Sequence, residues 1–269
     1  MNRESQASQR VDYDEIAPSY DERFKVNRLN GVLSALQSLA QEVKAQHILE
    51  VGCGTGRWLA DLNSERRHLW GLDPSTGMLH EARKRDGNLR LVQGRGARCA
   101  FRREMFDLIF CVNAIHHFDA PRGFIEEAHR MLESDGTLAV IGSDPHGGQE
   151  DWYVYQFFEG TYETDLKRFP SWETIENWME ESGFIKIGRY VAERVVDDKV
   201  GREVLEDPFL QKDACSQLAL LADEAYAGGV RRIKAALASA EAVGETLTFP
   251  TKILLAMIVG TKDGKRSSI

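Results

Sequence analysis

The sequence predicts an α/β fold built around a mostly parallel sheet, and three observations carry that prediction. Apolar runs of strand length alternate with helical patterns between residues 47 and 142. A turn dense in glycine follows the first apolar run, and an aspartate ends the second. Because strand–helix–strand units cross over with one hand, this alternation predicts a doubly wound sheet of parallel strands.

The apolar rhythm also predicts where the individual elements lie. A helical pattern at about 28–44 precedes the first strand. Strands are expected near 47–52, 67–72, 89–93, 106–112 and 136–142. The helices that alternate with them are expected near 56–63, 75–86 and 121–134.

The glycine turn and the aspartate predict the ligand class. Residues 50–56 read E-V-G-C-G-T-G, and Asp73 ends the next apolar run. Glycines adopt backbone angles closed to other residues and allow a ligand to contact bare backbone. A carboxylate such as that of Asp73 can accept hydrogen bonds from both ribose hydroxyls, as in Rossmann-like folds. The pattern therefore predicts a nucleoside-containing cofactor.

Two other interpretations of these residues stay open. Gly52 and Gly54 could form only a tight strand–helix turn, and Asp73 before Pro74 could cap a helix. The dinucleotide fingerprint G-x-G-x-x-G is a poor match, because position 57 holds a bulky arginine where the last glycine would lie.

Five segments in order resemble the motifs of class I S-adenosylmethionine-dependent methyltransferases, in particular the ubiquinone/menaquinone-biosynthesis type (methyltransferase type 11). They are an opening similar to YD-x-x-A-x-x-YD (11–21), the E-x-G-x-G-x-G turn (50–56), an acid followed by S-x-x-M-L (73–79), FD followed by a β-branched run and A-x-H-H (106–117), and a helix and strand similar to R-x-L-x-x-G-G-x-L (128–140). Asp135 replaces the first glycine of the last motif.

The resemblance implies a Rossmann-like, mostly parallel seven-stranded sheet that binds S-adenosyl-L-methionine and releases S-adenosyl-L-homocysteine. The residues carried over as cofactor-binding are Tyr20, Glu50, Gly52, Cys53, Gly54, Gly56, Asp73, Pro74, Ser75, Met78, Gly96, Ala97, Asn113 and Ala114. Asn113 could instead cap the turn after its strand, and Tyr20 could serve ordinary packing.

His116 and His117 are the candidate catalytic residues, because they follow the fourth strand, where the family directs the cofactor's methyl group. Methyl transfer needs a general base only when the nucleophile must lose a proton at an unfavourable pKa. At least one of the two histidines could instead be structural. His80, His129 and His146 are expected to be solvated.

One motif departs from the family pattern. The third element of the family commonly reads G-D-A-x-x-L-P-F, with an acid that contacts the adenine amino group, whereas residues 94–101 read G-R-G-A-R-C-A-F. Arg95 thus replaces the acid, which would cost about 1 kcal/mol of binding, the net value of one hydrogen bond. Arg95 could instead stack on the adenine ring.

The chain changes character after residue 143. An aromatic-rich stretch follows a glycine loop, Ser171 is placed to cap a helix through Glu181, and about fifty residues with helical patterning separate the last two predicted strands. The aromatic stretch is either the core of a cap or a pocket for a planar substrate. The predicted organisation is N-terminal helices and cofactor-binding core (1–144), cap segment (145–170), core helix and strand (171–194), helical cap insertion (195–246), and final strand with tail (247–269).

Composition limits the function classes. The formal charge of −8 and a pI near 5.5 argue against general nucleic-acid binding. We expect no membrane span and no secretory signal, and four cysteines without a C-x-x-C pair predict neither a metal site nor disulfides. Residues 1–12 are polar and are expected to be mobile. These features predict a reduced cytoplasmic protein.

Two hypotheses from different classes follow. The first is a methyltransferase that acts on a small-molecule metabolite; the second is a protein of the same fold that binds the cofactor without transferring a methyl group. An NAD-dependent oxidoreductase is a weaker third hypothesis, opposed by Arg57 and by the lack of a Tyr-x-x-x-Lys pair after the fourth strand. The acceptor atom and the oligomeric state, monomer or homodimer, are not predicted.

Overall fold

A computed structural model describes residues 11–148 and 150–264. The polar N-terminal stretch expected to be mobile lies outside these residues up to position 10, as does the end of the predicted tail from position 265. Within the described residues ten strands are found, namely β1 (His47–Val51), β2 (His68–Asp73), β3 (Arg90–Gln93), β4 (Phe106–Val112), β5 (Leu132–Gly142), β6 (Asp151–Trp152), β7 (Phe184–Val196), β8 (Lys199–Val200), β9 (Thr248–Phe249) and β10 (Thr251–Lys262).

Helices connect the strands, with short 3-10 turns among them. Over the same described residues the α-helices are α1 (Tyr13–Ile16), α2 (Arg23–Val26), α3 (Asn30–Glu42), α4 (Arg57–Asp61), α5 (Thr76–Arg85), α6 (Pro121–Met131), α7 (Tyr153–Phe157), α8 (Thr161–Arg168), α9 (Trp172–Glu181), α10 (Ser216–Ala219) and α11 (Asp223–Ala242). None of the described helices has the length and apolar run that a bilayer crossing requires.

The main sheet has the strand order β3-β2-β1-β4-β5-β10-β7, and the two-residue β6 also pairs with β10. The first five strands in this order are parallel, whereas β10 runs antiparallel to both β5 and β7. The predicted Rossmann-like, mostly parallel seven-stranded sheet is confirmed, with β6 as an addition. The carboxyl ends of β1, β2 and β4 therefore meet at one edge, where α/β folds of this kind bind ligands.

Several boundaries differ from the sequence prediction, mostly by one or two residues. The sixth helix ends at Met131, and β5 begins at Leu132 because that residue pairs with Phe106 before the register shifts. Strand β7 continues to Val196, two residues beyond the predicted end at 194. The final strand is split into β9 and β10 at Pro250, since proline has no N–H for the ladder.

Two apolar clusters cover the two faces of the sheet. One packs α6 and α9 against the strands through fully buried side chains such as Phe124 and Met179. The other packs α3 and α4 against the opposite face, through Leu36 and Leu59. Burial on both faces explains why these strands read as continuous apolar runs in the sequence.

The segments predicted as caps share a third apolar cluster with β9. Its buried residues are Trp152, Tyr153, Val154, Phe158, Val204, Leu210, Leu218, Ile233, Leu237 and Phe249. Phe158 stacks on Tyr226, and the Tyr153 hydroxyl donates to Asp207 at 2.9 Å. Part of the aromatic stretch is therefore core, as the simpler interpretation held, and the two cap segments pack against each other.

Candidate functional site

The glycine turn after β1 presents bare backbone at the sheet edge. Gly52, Gly54 and Gly56 have φ of 74°, 51° and 70°, in the left-handed region that favours glycine. A Cβ at Gly52 would lie 2.6 Å from that of Ala114, whereas a Cβ at Gly54 would meet only Tyr20, at 3.9 Å. Packing thus requires glycine at position 52, and Gly54 leaves open space beside the turn.

Asp73, at the end of β2, ties this turn to the next helix. Its side chain is largely buried, and its carboxylate accepts from the backbone N–H of Gly54 at 2.8 Å and from that of Ser75 at 2.9 Å. Burial raises the pKa of Asp73, although the two backbone N–H groups offset part of that rise. The N-cap of α5 is Ser75, which accepts from the Met78 N–H, so the alternative of Asp73 as the helix cap is wrong.

Glu50 carries a polar atom that lacks a partner. The residue is 1% exposed, and its Oε2 has no hydrogen-bond partner among the described residues. Burial raises the pKa of Glu50 well above its ordinary value, and the charge of Asp73 adds to the rise. Since buried polar groups are nearly always hydrogen-bonded, the unpaired oxygen fits a site completed by a polar ligand or its bound water.

The N-terminal segment is fastened to this turn by two aspartates. Asp14 Oδ1 accepts from the Ser75 hydroxyl at 2.7 Å and from the Gly77 N–H at 2.6 Å. Asp21 accepts from the Thr55 hydroxyl at 2.8 Å and forms an ion pair with Arg85. These two acids belong to the repeated YD pairs of the opening motif, yet no local sequence pattern predicts what they contact.

A tyrosine–histidine pair lies on the far side of the N-terminal segment. The Tyr13 hydroxyl and His117 Nε2 are joined by a hydrogen bond of 2.9 Å. His117 is exposed, yet groups packed around its imidazole reduce its hydration and lower its pKa below the ordinary value, and the charges of Arg168 and Arg23 add to the shift. Burial raises the pKa of the Tyr13 hydroxyl. At neutral pH His117 is therefore uncharged and Tyr13 keeps its proton. Tyr13 was not among the predicted site residues.

His116 has a packing role. Its ring stacks on Phe169 with centroids 3.8 Å apart and lies 4.0 Å from the ring of His117. Loss of hydration lowers the pKa of His116 well below its ordinary value, and the neighbouring His117 and Arg168 add to this. Of the two candidate histidines, the one in the hydrogen-bonded pair is His117.

Two more predicted cofactor residues, Gly96 and Asn113, follow β3 and β4 in the chain. Asn113 has a φ of 48°, and the following 3-10 turn has Ala114 as its N-cap with no side-chain hydrogen bond, so Asn113 does not cap that turn. A Cβ at Gly96 would lie 3.1 Å from Val51 and 3.4 Å from Phe118. Gly96 thus packs against Val51 and Phe118, close to the glycine turn.

The remaining predicted cofactor residues differ in exposure. Cys53 and Met78 are buried in the apolar packing. Pro74 is exposed, and its carbonyl accepts from the Gln93 side chain at 3.1 Å. Ala97 is half-buried and directs its methyl group toward Gly123 of α6.

Arg95, which replaces the acid of the family's third motif, pairs with an acid in this structure. Its guanidinium forms an ion pair with Asp119, and both side chains are largely exposed. Among the predicted solvated histidines, His80 and His146 are exposed, but His129 is half-buried with its ring edge-on to Phe184, so that expectation was wrong.

Two depressions flank the sheet. A narrow cavity at the carboxyl ends of β4 and β5 is lined by residues that include Asn113, His116, Ser143 and Phe169. A larger open groove lies at the opposite edge, where β2 and β3 begin, and is lined by polar residues such as Arg67 and Arg90. The lining of the larger groove includes neither Asp73 nor any residue of the glycine turn, so the larger depression is not the candidate site.

Comparisons with known proteins agree with this geometry. Residues 49–140 match the model of a methyltransferase domain family. An uncharacterized protein of Methanocaldococcus jannaschii is 28% identical over 176 residues, which cover 65% of this chain and 82% of that protein. The ubiquinone/menaquinone biosynthesis C-methyltransferase of Campylobacter jejuni is 22% identical over 48% of this chain, a match that spans 60% of that enzyme.

Solved structures share the fold. A S-adenosylmethionine-dependent methyltransferase of Thermotoga maritima, described as a possible histamine N-methyltransferase, superposes with a TM-score of 0.57 at 21% identity, covering 93% of this chain and 98% of that one. Phosphoethanolamine N-methyltransferase 2 of Haemonchus contortus, solved with S-adenosyl-L-methionine, gives a TM-score of 0.59 at 19% identity over 93% of this chain and 57% of that one. Residues 49–140 thus match a methyltransferase domain family, and the described residues share the fold of solved S-adenosylmethionine-dependent methyltransferases.

Proposed function

We propose that this protein transfers a methyl group from S-adenosyl-L-methionine to a small-molecule acceptor. The observation that carries the proposal is the arrangement at the sheet edge, where the Asp73 carboxylate accepts the Gly54 N–H beside a bare glycine backbone. The glycine turn, the acid on the neighbouring strand and the family match all support the same ligand.

The residues present fit the cofactor. Asp73 uses one lone pair of each oxygen for a backbone N–H, so each oxygen retains a lone pair for a ribose hydroxyl. The unpaired oxygen of Glu50 and the open face of Gly54 lie on neighbouring positions of the same turn. Gly96 offers backbone to the adenine edge in place of the acid that Arg95 replaces. When bound, the cofactor supplies a methyl group already activated on a sulfonium sulfur.

The chain's own residues then align the acceptor and receive a proton. Tyr13 and His117 form an uncharged, hydrogen-bonded pair at neutral pH, and the unprotonated imidazole nitrogen can accept a hydrogen bond or a proton from the nucleophile, although its lowered pKa makes it a weak base. Holding the reactants in line accounts for much of the rate in such displacements. The N-terminal segment contributes both functions, because it carries Tyr13 and is fastened to the cofactor turn by Asp14 and Asp21.

A small acceptor is supported by the enclosure of the crevice. The N-terminal segment covers it from one side, and Phe169 at the end of the first cap segment stacks on His116 from the other. The Arg23 guanidinium donates to the carbonyl of Ala214 in the second cap segment at 3.3 Å. We propose that these two segments, 145–170 and 195–246, form the substrate cap.

Transfer of radiolabelled methyl groups tests the proposal. Wild-type protein incubated with methyl-labelled cofactor and a fractionated metabolite extract should label an extractable small molecule. His117→Gln should reduce the rate on the order of 10²-fold if proton transfer contributes, with affinity for S-adenosylhomocysteine retained. Binding of that product without labelling of any fraction would favour the second hypothesis, a cofactor-binding protein without transferase activity.

A further inference from the structure

A chain of contacts that includes His116 and His117 closes into a ring beside the candidate site. On the N-terminal segment, the Arg23 guanidinium lies 3.6 Å from the Tyr20 ring centroid, and Tyr20 packs edge-on against Tyr13 at 6.1 Å. Tyr13 is hydrogen-bonded to His117, whose ring lies 4.0 Å from that of His116. Half of the ring therefore runs from an arginine to the histidine pair.

The cap segments complete the ring with a second arginine. Phe169 stacks on His116, and the Arg168 guanidinium lies 5.0 Å from the Phe169 ring centroid. Arg168 donates to the Ser216 hydroxyl at 2.6 Å, two residues from Ala214, whose carbonyl accepts from Arg23. The two guanidinium groups thus converge on residues 214–216.

The charges of these arginines are compensated unequally. Arg168 forms an ion pair at 2.7 Å with Asp165, which is fully buried and also accepts from Tyr155 and Gln217. Arg23 has no carboxylate within ion-pair distance among the described residues, and its buried Nε has no hydrogen-bond partner there. A guanidinium that lacks a carboxylate partner and has one unused buried donor can bind an anion.

We propose, on the basis of the methyltransferase function above, that the acceptor carries an oxyanion, a carboxylate or a phosphate, which Arg23 binds at this ring. Arg168, whose charge Asp165 compensates, lies on the other side of the ring, and the aromatic faces of Tyr13, Tyr20 and Phe169 contact the rest of the molecule. Both arginines also act on His117 through their charge. An anionic group bound between them places the nucleophile of the same molecule near the His117 pair.

The structure gives less support to an acceptor that carries a positive charge. Glu150 is a partly buried acid on the first cap segment, and one of its oxygens has no partner among the described residues. Its neighbours, however, are the acids Asp144 and Asp165, and its own pKa is raised to about 7, so much of it is neutral near that pH. Glu150 is therefore a poor site for an ammonium group compared with Arg23 for an oxyanion.

Calorimetric titration of the complex with S-adenosylhomocysteine tests the inference. The probes are benzoate, inorganic phosphate and, as a cation, benzylamine. We expect one of the two anions to bind the wild-type complex, with benzoate or phosphate identifying the carboxylate or the phosphate case. Arg23→Gln should weaken that binding by about 10-fold, the value of a charge-assisted hydrogen bond, and leave affinity for S-adenosylhomocysteine within about 2-fold.

Two further variants serve as controls for Arg23→Gln. Arg202→Gln, which removes an exposed arginine paired with Glu241, should change neither affinity. If Arg23→Gln does not fold, Arg23→Lys keeps the charge and should retain anion binding. Equal anion affinity in wild type and Arg23→Gln, or binding of benzylamine alone, would overturn the inference while the cofactor result stands. Failure of wild type to bind S-adenosylhomocysteine would instead overturn the proposed function.

Discussion

At the scale of single residues, Asp73 ties the glycine turn to the start of α5 and is the residue that we propose binds the ribose. Each of its oxygens accepts one backbone N–H, from Gly54 and from Ser75, so the position of the glycine turn depends on the carboxylate. The sequence predicted the ribose role from spacing alone. It left open whether Asp73 also caps α5, and the structure assigns that cap to Ser75.

Replacement of Asp73 by asparagine should weaken cofactor binding strongly. The amide group has one acceptor oxygen in place of two, so it cannot accept both backbone N–H groups and both ribose hydroxyls. We expect the affinity for S-adenosylhomocysteine to fall on the order of 10²-fold, since hydrogen bonds to charged groups contribute about 1.5–3 kcal/mol each. Asp223→Asn, at an exposed ion pair, is the matched control. Unchanged affinity in Asp73→Asn would limit Asp73 to a structural role.

Glu150 predicts a pH-dependent contribution to stability. Its pKa in the folded protein is raised from 4.5 to about 7, mainly by burial. A raised carboxyl pKa means that its favourable contribution is present below pH 4.5 and is lost as the pH rises through 7. Glu150→Gln should therefore be more stable than wild type at pH 8, on the order of 1–3 kcal/mol, with the difference vanishing near pH 4.5. Urea unfolding at both pH values measures this; a pH-independent difference would contradict it.

At the scale of elements, the N-terminal segment is the part whose contacts the sequence could not reveal. The apolar rhythm predicted the five parallel strands and most helix positions, because burial on a regular element repeats locally. The bond between Tyr13 and His117 joins residues 104 positions apart, and no local pattern encodes it. The same holds for Asp14 and Asp21, whose partners lie on α5 and the glycine turn. Strand β5 likewise begins at an earlier residue than predicted, because Leu132 pairs with Phe106 of the neighbouring strand β4.

The contacts of Asp21 with Thr55 and Arg85 should hold the N-terminal segment against the glycine turn and α5. Asp21→Asn removes the charge that pairs with Arg85 and weakens the contact with Thr55. We expect faster amide hydrogen exchange in residues 11–24 and no change in β1 or β4, because local opening leaves the sheet intact. Exchange in residues 11–24 that matches wild type would show that these contacts do not hold the segment.

At the scale of the whole molecule, the chain divides its apolar burial between the sheet and the cap. Two clusters hold helices on the sheet faces, and the third joins residues 152–158 to the helical insertion and β9. The sequence predicted the insertion from its length and helical pattern. It could not show that the two cap segments share one core, since their residues are separated by the helix α9 and strand β7.

Truncation of Phe158 tests whether the cap is a separate part of the molecule. Phe158 is fully buried, stacks on Tyr226 and packs closely against Gly229, so Phe158→Ala should cost about 3–5 kcal/mol. Affinity for S-adenosylhomocysteine should persist, because no residue of this cluster belongs to the glycine turn. Val243→Ala, at an exposed position, is the control. Loss of cofactor binding in a folded Phe158→Ala protein would show that the cap helps to form the cofactor crevice.

The central claim is that the sheet edge formed by β1 and β2 binds the adenosyl group of the cofactor. Calorimetric titration of the wild-type protein with S-adenosylhomocysteine and, separately, with NAD tests this claim most directly. We expect saturable binding of one S-adenosylhomocysteine per chain and no heat from NAD, because Arg57 follows the turn where a dinucleotide fingerprint has glycine. Binding of NAD with no response to S-adenosylhomocysteine would contradict both the assignment of the crevice and the proposed reaction.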